Sequence, residues 1–269
     1  MPTILDEIVA RKRERLAEEK RELPLVEIKD RLRDCHDVIR NFPAGLRAEN
    51  VRVIAEIKRA SPSEGVLNEL FDPRYLAQDY AGGGAAALSV LTERDYFEGE
   101  GSHLKRARKY MPLPCLRKDF IVDPYQVYQS RLLRADAILL IATILDEYEL
   151  EDLLALTHSL GMAALVETHD EADLLKALRA KARVIGLNNR DLATMQVNLA
   201  QTERLAPLVP RDRILVSESG IHGVEDIERV AQVGVDAVLI GTRLMKSDYP
   251  GAVLRQLIGV PAQPEVRSK

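Results

Sequence analysis

Three carboxylates and two lysines at the ends of apolar runs give this chain the means to move protons. The first run closes as Ala55-Glu56-Ile57-Lys58. Strand side chains alternate, so Glu56 and Lys58 share one face and Ile57 takes the other. Further runs close at Arg117-Lys118, Val166-Glu167 and Leu187-Asn188, and another runs through Val216-Ser217 into Glu218-Ser219-Gly220. An ammonium can give a proton, a carboxylate can take one, and a carboxamide can hold a partner without titrating. One charged strand end usually marks only where the chain reaches water. Five strands ending this way predict a common mouth, because unpaired charges are costly to bury. There Glu56, Lys58, Lys118, Glu167 and Glu218 would neutralise one another until a ligand enters.

A second signal lies in Glu218-Ser219-Gly220-Ile221 and Ile240-Gly241-Thr242-Arg243. Glycine lets a ligand approach the backbone, and Ser or Thr adds a hydroxyl. Either loop alone reads equally well as a tight turn. Both together, after the last two strands, favour a phosphate held by backbone N–H groups. Gly82-Gly83-Gly84 is different, because it follows a helical segment and precedes a strand. A phosphate cradle needs the reverse order, so this run reads as a structural turn.

The elements that must position these residues alternate regularly. Strands are predicted at Val51–Ile57, Ala86–Leu91, Leu113–Arg117, Ala137–Ile141, Ala163–Glu167, Val184–Asn188, Ile214–Ser217 and Ala237–Ile240. Helical spacing fills the intervals, as in Leu150, Leu153, Leu154 and Leu156. Eight such units in about 210 residues predict a closed (β/α)8 barrel. An open doubly wound sheet is the alternative, and periodicity alone does not separate the two. Residues 1–50 form a charged helical extension with the apolar stripe Ile4, Leu5, Ile8, Val9 and Leu16. Thr3 and Asp6 suggest a capping box, Pro24 ends the first helix, and a second helical piece follows from about Leu25 to Arg33. Residues 1–45 are expected to cover the barrel mouth and help retain substrate, with Arg11–Glu22 as a solvated face. The domain reading is therefore one unit over 1–269, with its barrel at 51–260.

Composition narrows the function classes. The 38 basic and 42 acidic residues show no basic surplus, so no nucleic-acid partner is expected. No apolar run is long enough for a membrane span, and the N-terminus lacks a signal-peptide pattern. Two cysteines, Cys35 and Cys115, fit a reducing cytoplasm. The five histidines lack metal-ligand spacing, so neither a metal nor a cofactor is expected.

The blocks IAEIKRASPSEG (54–65), LRKDF (116–120), LVETHDE (165–171), IGLNNRDL (185–192), SESGI (217–221) and IG-x-x-LM (240–245) together resemble the indole-3-glycerol-phosphate synthase family. They stand in the family's order, and the likeness spans almost the whole chain. It implies a TIM-barrel lyase of tryptophan biosynthesis. Its substrate would be a phosphorylated aromatic small molecule, 1-(2-carboxyphenylamino)-1-deoxyribulose 5-phosphate, and no cofactor would be needed. By this resemblance Lys118 matches a general acid, Glu167 a second acid/base group, and Lys58 a contact to the substrate's anionic groups. Glu56, Asn188 and Glu218 match positioning residues. Ser61, Arg190, Ser219, Gly220, Gly241 and Thr242 match the phosphate and substrate site, and Phe120 and Leu187 would offer apolar surface to the aromatic ring. Lys118 is expected to have its pKa lowered by burial and by Lys58. Glu64 and Thr242 depart from the commoner family residues, Lys at the first position and Ser or Glu at the second. Other enzyme and binding classes remain as readings: a phosphoribosyl-anthranilate isomerase, a non-catalytic phosphate-ligand sensor, and an interaction module docking through helix 11–22. A cytoplasmic monomer is expected.

Overall fold

The computed structural model describes residues 3–191 and 194–268. Eight parallel strands close into a barrel: β1 (Arg52–Ile57), β2 (Ala87–Leu91), β3 (Cys115–Lys118), β4 (Ala137–Ile141), β5 (Ala163–Thr168), β6 (Val184–Asn188), β7 (Ile214–Glu218) and β8 (Ala237–Ile240). Strand β1 pairs with both β2 and β8, which closes the ring and settles the choice against an open sheet. Before the barrel come α1 (Ile4–Glu22) and α2 (Leu25–Arg33). Around it run α3 (Pro73–Gly82), α4 (Gly101–Tyr110), α5 (Pro124–Leu132), α6 (Glu147–Ser159) and α7 (Glu171–Arg179). The last are α8 (Ala200–Leu205), α9 (Val224–Ala231), α10 (Thr242–Met245) and α11 (Pro250–Leu257). Among the described residues no helix is long and apolar enough to cross a membrane.

Each strand is apolar on both faces because each face is covered. Val53, Ala55, Val90, Ile138, Val166, Ile185 and Val238 pack outward against the helices. Ile54, Leu116, Leu139, Leu165, Val184, Val216 and Leu239 fill the barrel interior. Two-residue periodicity carries this inward set up to Glu56, Lys118, Glu167, Asn188 and Glu218 at the C-terminal rim. Glu167 lies in register with Gly186, and Asn188 with Glu218. The glycine at 186 leaves room for the Glu218 carboxyl, since a Cβ there would stand 2.1 Å from Glu218 Oε1.

The opposite rim is held by two buried carboxylates that precede β4 and β8. Asp136 Oδ2 accepts the Cys115 N–H at 2.9 Å and Asp236 Oδ2 accepts the Leu215 N–H at 2.8 Å, each joining its strand to a neighbour. Arg108 pairs with Asp136 and Arg267 with Asp236, so neither charge is left alone. At this rim α3 ends on its glycines, where a Cβ on Gly83 would meet the Gly251 carbonyl at 2.8 Å. The run 82–84 therefore serves helix packing, as its position in the sequence suggests.

The N-terminal extension behaves differently from expectation. Among the described residues of the extension, only α1 lies over the mouth. Residues after α2 pass to the other end, where Phe42 and Leu46 are fully buried among the inward barrel residues Ile54, Leu116 and Val216. Arg40 fixes this plug through its N–H to Asp136 Oδ1 at 2.8 Å and its guanidinium to the Leu113 carbonyl at 2.7 Å. Apolar surface at the bottom of the barrel needs its own cover, and this stretch supplies it.

Candidate active site

The inward rim residues meet in one cluster at the barrel mouth. Lys118 Nζ is 2.7 Å from Glu167 Oε2 and 2.9 Å from Glu218 Oε2. Asn188 Nδ2 donates to Glu167 Oε1 at 3.1 Å. On the other side of the mouth Lys58 Nζ pairs with Glu56 Oε1 at 2.9 Å and reaches Thr242 Oγ1 at 3.5 Å. Arg117, the neighbour of Lys118, points away from the barrel axis to Thr92, Asp119, Ser130 and the Gln126 carbonyl, as strand alternation requires.

The electrostatics follow from this pairing. Burial alone would lower the Lys118 pKa, but Glu167, Glu218 and Glu56 raise it well above the ordinary lysine value. This reverses the expected direction, because Lys58 spends its charge on Glu56 and the neighbours of Lys118 are carboxylates. Burial would likewise raise Glu167, yet Lys118 and His169 beside it hold it down to about 2. For Glu218 burial prevails: it is pushed up to about 8, with Lys118 opposing and Glu167 adding to the rise. At neutral pH the trio thus holds one ammonium, one carboxylate and one carboxylic acid. Lys118 binds Glu218 Oε2, and Glu218 Oε1 makes no hydrogen bond among the described residues.

Above this trio lies a cavity of about 420 Å³, a volume suited to a small organic ligand. Its walls include Phe97 and Phe120, whose rings are 6.3 Å apart, with Leu139, Ile141 and Leu239 from the strands. Ile4, Leu5 and Ile8 of α1 roof it. Buried Lys12 anchors that roof through Asp119 at 2.6 Å, next to Lys118, so one member of the charged 11–22 face is not solvated. A capping box between Thr3 and Asp6 starts the helix.

Ser219 and Gly220 follow β7 with consecutive left-handed φ of 66° and 85°. Gly241 caps the four-residue α10, which Thr242 begins. These two loops, Ser61 and Arg190 border the same cavity. The Ser61 hydroxyl is buried and makes no hydrogen bond among the described residues. Arg190 is steadied by the Met195 carbonyl at 3.0 Å. Glu64 bonds Lys246 across this edge.

The structure moves one assignment. Leu187 is fully buried in the outer core, against the helices, and does not border the cavity. Asn188 faces inward, so its neighbour must face outward; the same alternation that separated Lys118 from Arg117 excludes Leu187. Met195 and Phe97 border the cavity instead, from loops whose course the sequence pattern does not reveal. Gly241 also has a second reason to be glycine, because a Cβ there would lie 2.2 Å from Glu56 Oε1. Gly241→Val should therefore displace Glu56 and its partner Lys58, lowering kcat by roughly 10²-fold through misplacement as well as raising KM. Steady-state kinetics on the folded variant would expose the alternative, a change in KM alone. Of the sequence blocks, the fourth ends on Leu192, which lies outside the described residues.

Similarity to known proteins agrees with this geometry. The model of the family described as indole-3-glycerol phosphate synthase matches residues 5–257. A protein of that description from Polaromonas sp. is 46% identical over 264 residues, covering 97% of this chain and all of the relative. Another from Acetivibrio thermocellus is 44% identical over 259 residues, covering 96% of this chain and again all of the relative. Among solved structures, 3-hexulose-6-phosphate synthase from Salmonella typhimurium superposes with a TM-score of 0.61 at 13% identity, covering 77% of this chain and 96% of its own. Thiamine phosphate pyrophosphorylase from Pyrococcus furiosus gives 0.59 at 15% identity, covering 77% and 93%. Those two likenesses concern the barrel fold alone. The family match over nearly the full chain, and relatives above 40% identity along their whole length, establish that this chain belongs to the indole-3-glycerol phosphate synthase family.

Proposed function

We propose that the chain converts 1-(2-carboxyphenylamino)-1-deoxyribulose 5-phosphate to indole-3-glycerol phosphate, carbon dioxide and water, the carboxy-lyase step of tryptophan biosynthesis. The observation that carries this reading is Lys118 held between Glu167 and Glu218 at the floor of an apolar cavity. Ring closure joins the carboxyl-bearing carbon of the anthranilate ring to the ribulose carbonyl carbon. Negative charge grows on the carbonyl oxygen, and the Lys118 ammonium supplies its proton. Loss of carbon dioxide restores the aromatic ring. Dehydration then takes a second proton with the departing hydroxyl and returns one from the ring being formed, for which Glu167 is the available base. Phe97, Phe120 and the α1 side chains hold the anthranilate ring, while Ser219-Gly220, Gly241-Thr242, Ser61 and Arg190 hold the phosphate. Lys58 faces the substrate's anionic groups, with Glu56 and Asn188 positioning it and Glu167. In this reading residues 1–269 form one domain, a barrel over 51–260 with its extension at 1–50. It acts as a cytoplasmic monomer in which the free Cys35 and Cys115 stay reduced.

Incubating the purified chain with the carboxyphenylamino substrate should produce indole fluorescence. Absence of that signal from folded protein would refute the assignment. The Glu218 acid gives a second measurement. Its proton is present below pH about 8 and lost above it. The kcat/KM profile of the free enzyme should therefore fall on the alkaline side, about tenfold per pH unit beyond that point. Glu218→Gln stays neutral throughout and should flatten this limb. A limb that survives the substitution belongs to another group.

A further inference from the structure

Behind Glu167, away from the substrate cavity, stands His169, one of the five histidines without metal-ligand spacing. Its ring spans the distance from the site to the surface. Nε2 is buried, lies 3.3 Å from Glu167 Oε1 and makes no hydrogen bond among the described residues. Nδ1 is 3.0 Å from the hydroxyl of Thr143, an exposed residue following β4. The cavity lining includes Glu167 but not His169. The imidazole therefore touches the back of the carboxylate whose front faces the reaction.

Counting hydrogens fixes what the ring must carry. Thr143 has one hydroxyl hydrogen, and its close partner Asp173 Oδ2 is an acceptor as carboxylate. Thr143 thus gives its hydrogen to Asp173 and accepts one from Nδ1. With Nδ1 protonated, Nε2 and Glu167 Oε1 would face each other with bare lone pairs unless one proton lies between them. While Lys118 is charged it holds Glu167 down and the proton stays on the ring; once Lys118 has given up its own proton that charge is gone, and the ring proton can pass to the carboxyl. The groups facing this pair are Asp173 and, 3.7 Å from Asp173, Lys176 on α7; Thr143 after β4; Asn188 on β6; and Lys118 on β3. The backbone of His169 is held independently of its ring, through its N–H to Asp173 and its carbonyl to Gln201 of α8.

The proposed reaction has a use for such a proton. The substrate carboxylate leaves as neutral carbon dioxide. Protons go to the carbonyl oxygen and to the departing hydroxyl, and one returns from the closing ring. Each turnover therefore takes up one net proton. The front of the site is lined by α1 and occupied by substrate during turnover, and His169 offers a route from the opposite side.

We propose that His169 is a positioning and proton-supplying residue that passes the net proton of each turnover from the surface beside Thr143 to Glu167, and through Glu167 Oε2 to Lys118. This rests on the indole-forming reaction assigned above. Each transfer breaks one N–H or O–H bond as another forms, and no electrons are exchanged. The ring acts only through Glu167 and does not touch the substrate.

The test compares the full-length wild-type chain with His169→Gln and His169→Gly, each checked for an unchanged melting temperature. Both variants should lose roughly 10-fold or more in kcat, with KM little altered. Their loss should grow with pH, as solvent protons become scarce. Added imidazole should restore much of the His169→Gly rate and leave wild type unaffected. In a Glu167→Gln background the His169 changes should add no further loss. Unchanged kcat overturns the proposal. So does a loss that imidazole does not repair and that is equal at every pH, since the ring would then only brace Glu167. If wild type itself forms no indole product, the underlying reaction fails, a result distinct from either of these.

Discussion

Lys118→Met should reduce turnover by roughly 10²–10⁴-fold, the range for removing a general acid or base. The lysine ends β3 facing the cavity, with Glu167 and Glu218 both within 3 Å of its Nζ. That geometry serves two readings, a proton donor or an ion pair that merely braces the rim. Stability separates them. If bracing were the role, Lys118→Met would lower the melting temperature along with activity. Burial pushes Glu218 towards its neutral form, and Glu167 keeps Asn188 and His169 as neighbours, so the loss of folding stability should be small beside the loss of rate. Lys118→Arg sharpens the test, since guanidinium preserves the charge but does not release a proton near neutral pH. The raised pKa of Lys118 means that it keeps its proton until the carbonyl oxygen gains strong negative charge. Near-normal turnover in Lys118→Arg would show that charge alone suffices and would remove Lys118 as the acid. Single-turnover measurements on both variants, with melting curves, decide the matter.

The plug at the opposite rim should produce the largest effect on stability. Phe42 is fully buried among inward-facing barrel residues. Phe42→Ala should cost about 3–5 kcal/mol, the transfer energy of the ring plus the cavity left behind. Two deletions divide the extension by role. Removing residues 1–23 strips the roof made by Ile4, Leu5 and Ile8 and breaks Lys12–Asp119, so KM should rise while the barrel stays folded. Removing residues 1–49 also takes Phe42 and Leu46 and should yield a chain that melts far lower or aggregates. This departs from the sequence-based expectation that the whole extension acts at the mouth. Thermal unfolding of the two truncations would check it. Equal melting temperatures would show that the bottom of the barrel closes without its plug.

Much of this architecture is written in short-range pattern. Eight apolar runs separated by helical spacing specify alternating strands and helices, because buried parallel strands need apolar side chains on both faces. Apart from Arg52 and Ser89, polar residues interrupt those runs only towards their C-terminal ends, which is why Glu56, Lys118, Glu167, Asn188 and Glu218 could be assigned to one mouth. Alternation also predicts that Arg117 turns away, and applied to Asn188 it would have turned Leu187 away too. Phe97, Met195 and His169 lie in or beside loops, where no period governs side-chain direction.

The sequence by itself therefore determined the alternation of strands and helices, the rim that bears the chemistry and the family to which the chain is similar, while the pairing of β1 with β8 decided that the sheet is closed. Tertiary structure alone decided who pairs with whom. The Lys118 pKa depends on whether its nearest neighbour is Lys58 or a carboxylate, and that is set by strand stagger around a closed ring. The same holds for the proton on Glu218, the clearance that Gly186 and Gly241 give to carboxylates, and the burial of Phe42 at the far rim. Each is a distance between residues remote in sequence, and Coulomb energy, desolvation and steric overlap all depend on such distances.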